Sequence, residues 1–294
     1  MNHTLPMPPE PQLRPLLDGY ARSVAAKRRT ILIGIALMAI ATVMSGFGAE
    51  VRLDTFWDKL GNFSSYFVRL TELDTGARVW TDPAYWFWGL RRWSLQLEQT
   101  LLIAYVGTAT GTVLGVIGAV LGSRNLARSA VVRFITIRVL EFSRTVPDIV
   151  FALIFVVAFG LGPLPGVMAI TLHTTGTLGK LFAEVIENID MKPVEGVQGT
   201  GGTWLSQIRF GVLPQVLSNF ASYALLRFEV NVRGAAVIGF VGAGGIGQEL
   251  IVAIRKFYYS DVSAILLMLL VCVMAIDFAS EKLRHRMLAA EQGS

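Results

Sequence analysis

Residues 239–247 read GFVGAGGIG and contain Gly242-x-Gly244-x-x-Gly247, the glycine spacing of a pyrophosphate-binding turn. That spacing carries its meaning only between a strand and a helix of a parallel sheet, with an acid about 20 residues further on. An apolar run, AAVIGF, does lead in, but the flanking segments have the length and composition of membrane helices, and Asp261 comes too early. The nucleotide reading fails on this context. The glycines at 239, 242, 244, 245 and 247 (Gly239, Gly242, Gly244, Gly245, Gly247) are instead expected to form a sharp re-entrant bend. Irregular backbone survives within a bilayer only where protein buries it or it lines a cavity. Between the last two spans, this bend is expected toward the outer side.

Composition points the same way. Of 294 residues, 53% are hydrophobic and 16% charged, where a soluble domain carries about 25% charged residues. Mean hydropathy is +0.55. The formal net charge of +5 comes from bases placed beside apolar runs, so the expected partner is the lipid bilayer and not nucleic acid. Cys272, the one cysteine, sits in the run VSAILLMLLVCVMAI and has no second thiol to pair with. The Pro-rich start and the late apolar run do not form a cleavable signal, so a retained first span is expected.

Six spans are expected, in an all-α polytopic chain. Residues 1–30 form a cytoplasmic segment, and 31–49 the first span, roughly 28 Å of helix. Residues 50–98 lie outside, with Tyr85, Trp86, Trp88 and Trp93 suited to the headgroup level. The core, 99–280, holds five more spans, starting with 99–123, where Gly107, Gly111, Gly115, Gly118 and Gly122 make a smooth stripe for helix packing. Ile149 to Gly179 has 31 uncharged residues, roughly 46 Å of helix, with FGLGPLPG at 159–166 in its middle. This reads as a hairpin of spans at about 140–160 and 164–183, with Arg144 and Asp148 near the cytoplasmic entrance. A fifth span covers about 214–234, and 262–276 is the core of the sixth, followed by a cytoplasmic tail, 281–294. Lys27, Arg28, Arg29, the arginines of 124–144 and the basic tail place both termini inside; the 184–214 loop, itself not basic, then falls inside by the order of spans.

No P-loop, HExxH or GxSxG occurs, so no catalytic residue, metal site or cofactor is expected on this chain. Intramembrane polar groups are the remaining candidates for a substrate path. They are His173, Thr174 and Thr175, and Arg227, Glu229 and Arg233, of which the last two stand four apart for pairing on one helix face. Either they line a polar cavity that meets an anion, or they make headgroup contacts at the end of a tilted helix.

The loop before the fifth span carries the sharpest motif. Glu195-Gly196-Val197 is followed by Gly201 six residues after the acid, and by Leu213-Pro214 near nineteen after it. This resembles the EAA loop of ABC importer permeases. Gly196 and Val197 replace the usual alanines, and Gly211 the usual isoleucine, with Ile208 nearby. A dipole-favoured acid at a helix start and a proline in a first turn fit two short helices presenting a rigid knob. RVLEFSRTVPDIVFALIF, GTLGKLFAEVIENID, RFGVLPQVLSNF and GFVGAGGIGQEL, within 95–285, are similar to the phosphonate importer permeases; the first 95 residues match loosely.

The resemblance implies a type I, methionine-importer-like permease fold in the bacterial inner membrane. It further implies a homodimer, two copies of a cytoplasmic ABC ATPase that hold ATP and Mg, a periplasmic or lipid-anchored phosphonate-binding protein, and alternating access. Phosphite, phosphate or methionine are alternative substrates. A secondary transporter or a membrane enzyme is the reading from another class.

Overall fold

The structure, a computed structural model, describes residues 10–50 and 52–292. Residues 1–9 of the expected N-terminal segment and 293–294 of the tail lie outside them. Among the described residues the chain is helical, with one isolated bridge, between Glu72 and Arg78, and no strand. It divides into two units, one up to residue 65 and one from 66 onward.

The first unit holds α1 (Glu10–Gly48) and most of α2 (Leu53–Leu70). α1 contains the expected first span. Its stretch Leu17–Gly48 is apolar enough to cross a bilayer, and none of its most apolar window is buried against protein. A helix that is apolar on every side and unburied suits surroundings of lipid.

The second unit comprises α3 (Pro83–Trp86), α4 (Leu90–Gly122), α5 (Ala130–Thr145), α6 (Asp148–Phe159), α7 (Pro163–Glu187), α8 (Lys192–Gly199), α9 (Trp204–Ser206), α10 (Leu213–Ile238), α11 (Ile246–Arg255) and α12 (Tyr259–Gln292). The glycine stripe of α4 makes its closest helix contact. A Cβ at Gly107 would come 2.6 Å from Ile170 Cγ2, and one at Gly111 2.7 Å from Thr174 Cβ, both on α7. At Gly115 it would meet the backbone of Gly179 at 3.2 Å. Removing those side chains lets the two backbones approach, and dispersion between them replaces lipid contact.

α7 is the central helix. α4, α5, α6 and α10 all pack on it, and Ile170, Thr174, Leu178, Phe182 and Ile186 along it are fully buried. A helix wrapped by protein need not be uniformly apolar. That is why α7, with its glycines, threonines, His173 and Lys180, is not among the helices apolar enough to cross a membrane. Among the described residues three helices pass that test, and up to five spans result if each of two bent pairs counts as one.

One bent pair corrects an expectation. The third span was expected as one helix over 140–160, but the chain turns by 91° between α5 and α6. Pro147 has no N–H to continue the ladder, and it biases Val146 toward the extended conformation found there. Asp148 then starts α6 with its own Oδ1 accepting from Ile149 N at 2.9 Å. Its carboxylate sits against Gly234 of α10, where a Cβ would lie 3.1 Å from Oδ2. Asp148 is thus half-buried against α10.

Further differences concern the aromatic segment before α4. α4 begins at Leu90, nine residues before the expected span. Trp93 is only 2% exposed, packed with Ile246, Leu250 and Ile265 instead of facing headgroups. Trp86 Nε1 donates to Ser263 Oγ at 3.0 Å and Trp88 Nε1 to Asp261 at 2.9 Å, both at the start of α12.

Candidate functional site

The expected glycine bend lies between α10 and α11. Gly242, Gly244 and Gly245 all take positive φ, near +89°, +86° and +78°, a region that costs other residues strain. Gly239 and Gly247 are used differently, for close approach. A Cβ on Gly247 would sit 2.0 Å from the Ala236 carbonyl oxygen. The amides that a pyrophosphate would need are already taken. Gly245 N donates to Gln99 Oε1 at 2.9 Å and Ile246 N to Thr100 Oγ1 at 2.8 Å, both acceptors on α4. The spacing that resembled a phosphate cradle closes a helix junction.

The loop from α8 to α10 projects from a buried base. Val194 on α8 is 3% exposed and joins Leu126, Phe182, Ile186, Val212, Val216 and Phe220 in one cluster, with the Phe182 and Phe220 rings stacked at 4.0 Å. Between Gln207 and Val212 the backbone forms a π-helical turn, a feature that interrupts the regular ladder and recurs at functional sites. Trp204 Nε1 donates to Leu126 O at 3.1 Å, while the Arg128 guanidinium lies 4.9 Å from its ring centre. Gln215 Nε2 donates to Asp190 O and Gly211 O, bracing the loop where α10 begins with Leu213 and Pro214.

Against this fixed base, Glu195, Gly196 and Gly201 are exposed, and Glu195 is in the first turn of α8. Val197 is half-buried. Gly201 has φ +80° with no atom within 4 Å of an added Cβ. Its glycine is therefore required by backbone conformation and not by helix contact. The close approaches fall at Gly202, whose Cβ would meet Val197, and at Gly211, whose Cβ would lie 2.9 Å from Val194 Cα. The usual isoleucine would not fit at 211 here. Leu205 and Phe210, 69% and 63% exposed, add apolar surface to the loop. Their signal in the sequence was a Trp-Leu and an Arg-Phe step inside an otherwise polar loop.

The polar residues of the core divide into two groups on α10. At roughly 3.6 residues per turn, Arg227, Asn231 and Gly234 share one face, with Glu229 and Arg233 behind them. Arg233 Nη2 pairs with Glu229 Oε1 at 2.5 Å and lies 3.9 Å from Asp277 of α12. On the front face, Arg227 is half-buried, and its Nε has no hydrogen-bond partner. It and Asp148 act on one another electrostatically without closing to a salt bridge, and both act on His173.

His173 Nδ1 contacts Val146 O at 3.0 Å; a carbonyl only accepts, so Nδ1 donates. The carbonyl is free because α6 restarts from Pro147 instead. Thr174 is sealed between helices. Asn231 Nδ2 donates to Thr174 Oγ1 at 2.9 Å and Thr108 Oγ1 at 2.8 Å, tying α4, α7 and α10 together. Thr175 Oγ1 donates back to Thr171 O within its own helix. Arg227, Asp148 and His173 therefore come together, while Thr174 and the Glu229–Arg233 pair stand apart from them. Among the described residues no group of His, Cys, Asp and Glu is placed to hold a metal.

Similarity to known proteins agrees with this architecture. The chain is 42% identical over 198 residues to the phosphite transport system permease protein PtxC of Stutzerimonas stutzeri, covering 67% of this chain and 72% of that one. It is 47% identical over 121 residues, 41% of this chain and 99% of the other, to a protein of Escherichia coli K12 named as a cryptic phosphonate transport system permease, PhnE2. Among solved structures, inward-facing MetNI methionine ABC transporter superposes with a TM-score of 0.57 at 20% identity, covering 66% of this chain and 95% of that chain. That likeness establishes the all-helical type I importer permease fold. Residues 111–288 match the family described as binding-protein-dependent transport system inner membrane component. The chain belongs to that family and is a membrane permease component of a transport system.

Proposed function

We propose that this permease forms, as a homodimer, the pathway of an ABC importer for phosphonate or phosphite. A phosphonate-binding protein delivers the anion from outside. Two copies of a cytoplasmic ATPase, holding ATP and Mg, dock on the exposed loop around Glu195 and Gly201. The observation that carries the reading is that loop: a braced, buried base with Glu195, Leu205 and Phe210 exposed. Nucleotide hydrolysis belongs to the partner. The relatives named for phosphite and phosphonate support the substrate class.

The test is uptake into vesicles carrying the permease, its ATPase and its binding protein. Methylphosphonate or phosphite should accumulate only with ATP, ahead of phosphate and methionine. Equal uptake without the ATPase would make the chain a secondary transporter. Preference for methionine would overturn the substrate assignment.

The loop makes a second expectation. Valine at 201 must adopt a positive φ that β-branched residues avoid, at about 1–3 kcal/mol. With open space around it, the cost falls on loop shape and not on the helix bundle. Gly201→Val should leave the permease in the membrane yet weaken ATPase capture and uncouple hydrolysis from uptake. Gly201→Asn should be milder, because asparagine tolerates the left-handed region. Normal capture and coupling in the valine variant would remove this loop as the docking element.

A further inference from the structure

Helix α2 follows α1 after only the four residues 49–52. Its apolar residues Phe56, Trp57, Leu60, Phe63 and Phe67 recur on one face, with Asp54, Asp58, Asn62 and Ser65 on the other. The apolar face is presented outward: Phe56 is 57% and Trp57 68% exposed. An apolar stripe of this width on one helix marks a surface that something covers.

The ends of α2 indicate what. Its first residues are held by the short link to the end of a membrane-length helix. Its last turn is held at the start of α12, another such helix. There the Tyr66 and Tyr259 rings meet at 5.8 Å, and Arg69 lies 5.5 Å over the Tyr259 ring with Nη1 3.4 Å from its hydroxyl. α2 has 18 residues, roughly 27 Å of helix, joined by chain to the end of α1 and by contact to the start of α12. Trp and Tyr concentrate at the membrane–water boundary, and helices lying in that boundary carry Trp, Phe and Leu on their apolar face.

We propose that α2 lies in the plane of the outer leaflet, its apolar face seated among the lipid chains at the headgroup boundary. This rests on the outward placement of residues 50–98 in the reading above. The polar face carries Asp54 and Asp58 against Lys59 and Arg69, a balanced set. Seating is therefore driven by apolar burial and does not need anionic lipid, unlike basic interfacial helices.

The test uses the assembled complex in nanodiscs, with Cys272→Ser removing the native thiol. Single spin-labelled cysteines replace Phe56, Asp58, Leu60 and Asn62. Labels at 56 and 60 should be several-fold more accessible to oxygen than to a nickel chelate, and those at 58 and 62 the reverse. The pattern should be the same in neutral and anionic lipid. Equal access of the chelate to all four would place the helix in water and overturn the proposal. Exclusion of both reagents from 56 and 60 would mean protein covers the face, which also overturns it. A separate Thr75→Cys variant, probed in intact cells with an impermeant thiol reagent, should label from outside. Labelling only from inside would overturn the topology and the leaflet assignment, even with the alternation intact.

Discussion

One methyl group at Gly247 should empty the membrane of assembled permease. The Cβ of Gly247→Ala would lie 2.0 Å from the carbonyl oxygen of Ala236 and 3.0 Å from Cα of Gly239. Both neighbours are backbone at the end of α10, so no rotamer relieves the clash. Relief requires α11 to move away from α10, yet its first amides are held by Gln99 and Thr100 of α4. Overpacking usually costs about 1–3 kcal/mol, and more where the backbone must shift. A cost of about 3 kcal/mol or more is expected here, a large part of the stability of a typical fold. The measurements are yield in the membrane fraction and the melting temperature of purified complex. Gly196→Ala is the control. It lies in α8 with nothing within 4 Å of an added Cβ, and alanine there should be neutral or stabilising by up to about 1 kcal/mol. If Gly247→Ala accumulates and melts as the parent does, the glycine bend is not the close-packed junction described here.

Residues whose meaning lies in spacing were readable before the structure. The α4 glycines, three and four apart, anticipated the contact with α7 because helical periodicity alone puts them on one face. Glu195, Gly201, Leu213 and Pro214 marked the loop before α10 through the spacing of a resembled motif, not through helical periodicity. The 140–160 span failed on a signal that was present. Val146-Pro147-Asp148 is a helix stop followed by an acidic helix start, hidden inside a long uncharged run whose hydropathy suggested continuity. The place of Trp93 was hidden for a different reason. A tryptophan near a span end suits either headgroups or a protein contact, and only the packing of α11 and α12 decides between them. The bonds of Asn231 to Thr108 and Thr174 join residues 123 and 57 positions apart; no local pattern encodes such a pair. Close approach falls at Gly202 and Gly211 and not at Gly201, since sequence shows where a glycine is but not what approaches it.

Transport should depend most steeply on Arg227, and a pair of substitutions separates its two candidate roles. The guanidinium and Asp148 act on one another and on His173 electrostatically, and the guanidinium's Nε lacks a hydrogen-bond partner. A planar donor left open in this way suits the oxygens of a phosphonate or phosphite anion. A hydrogen bond involving a charged group is worth about 1.5–3 kcal/mol. Arg227→Gln should therefore lower uptake at subsaturating substrate by roughly tenfold to a hundredfold.

The same loss would follow if Arg227 only balanced Asp148, because the single change leaves that carboxylate half-buried without its counter-charge. Adding Asp148→Asn distinguishes the two. If balance is all that matters, the double variant regains uptake. If Arg227 receives the anion, the double variant regains stability but uptake stays low, since removing the acid restores no donor. The coupling in this cycle should thus appear in melting temperature and be absent from transport. Arg233→Gln provides the comparison from the opposite face of α10, where the side chain is already occupied by Glu229 and lies near Asp277. Its effect on uptake should be smaller than that of Arg227→Gln at equal amounts of assembled complex. Recovery of uptake in the Arg227→Gln/Asp148→Asn protein would assign Arg227 to structure and move the anion path elsewhere.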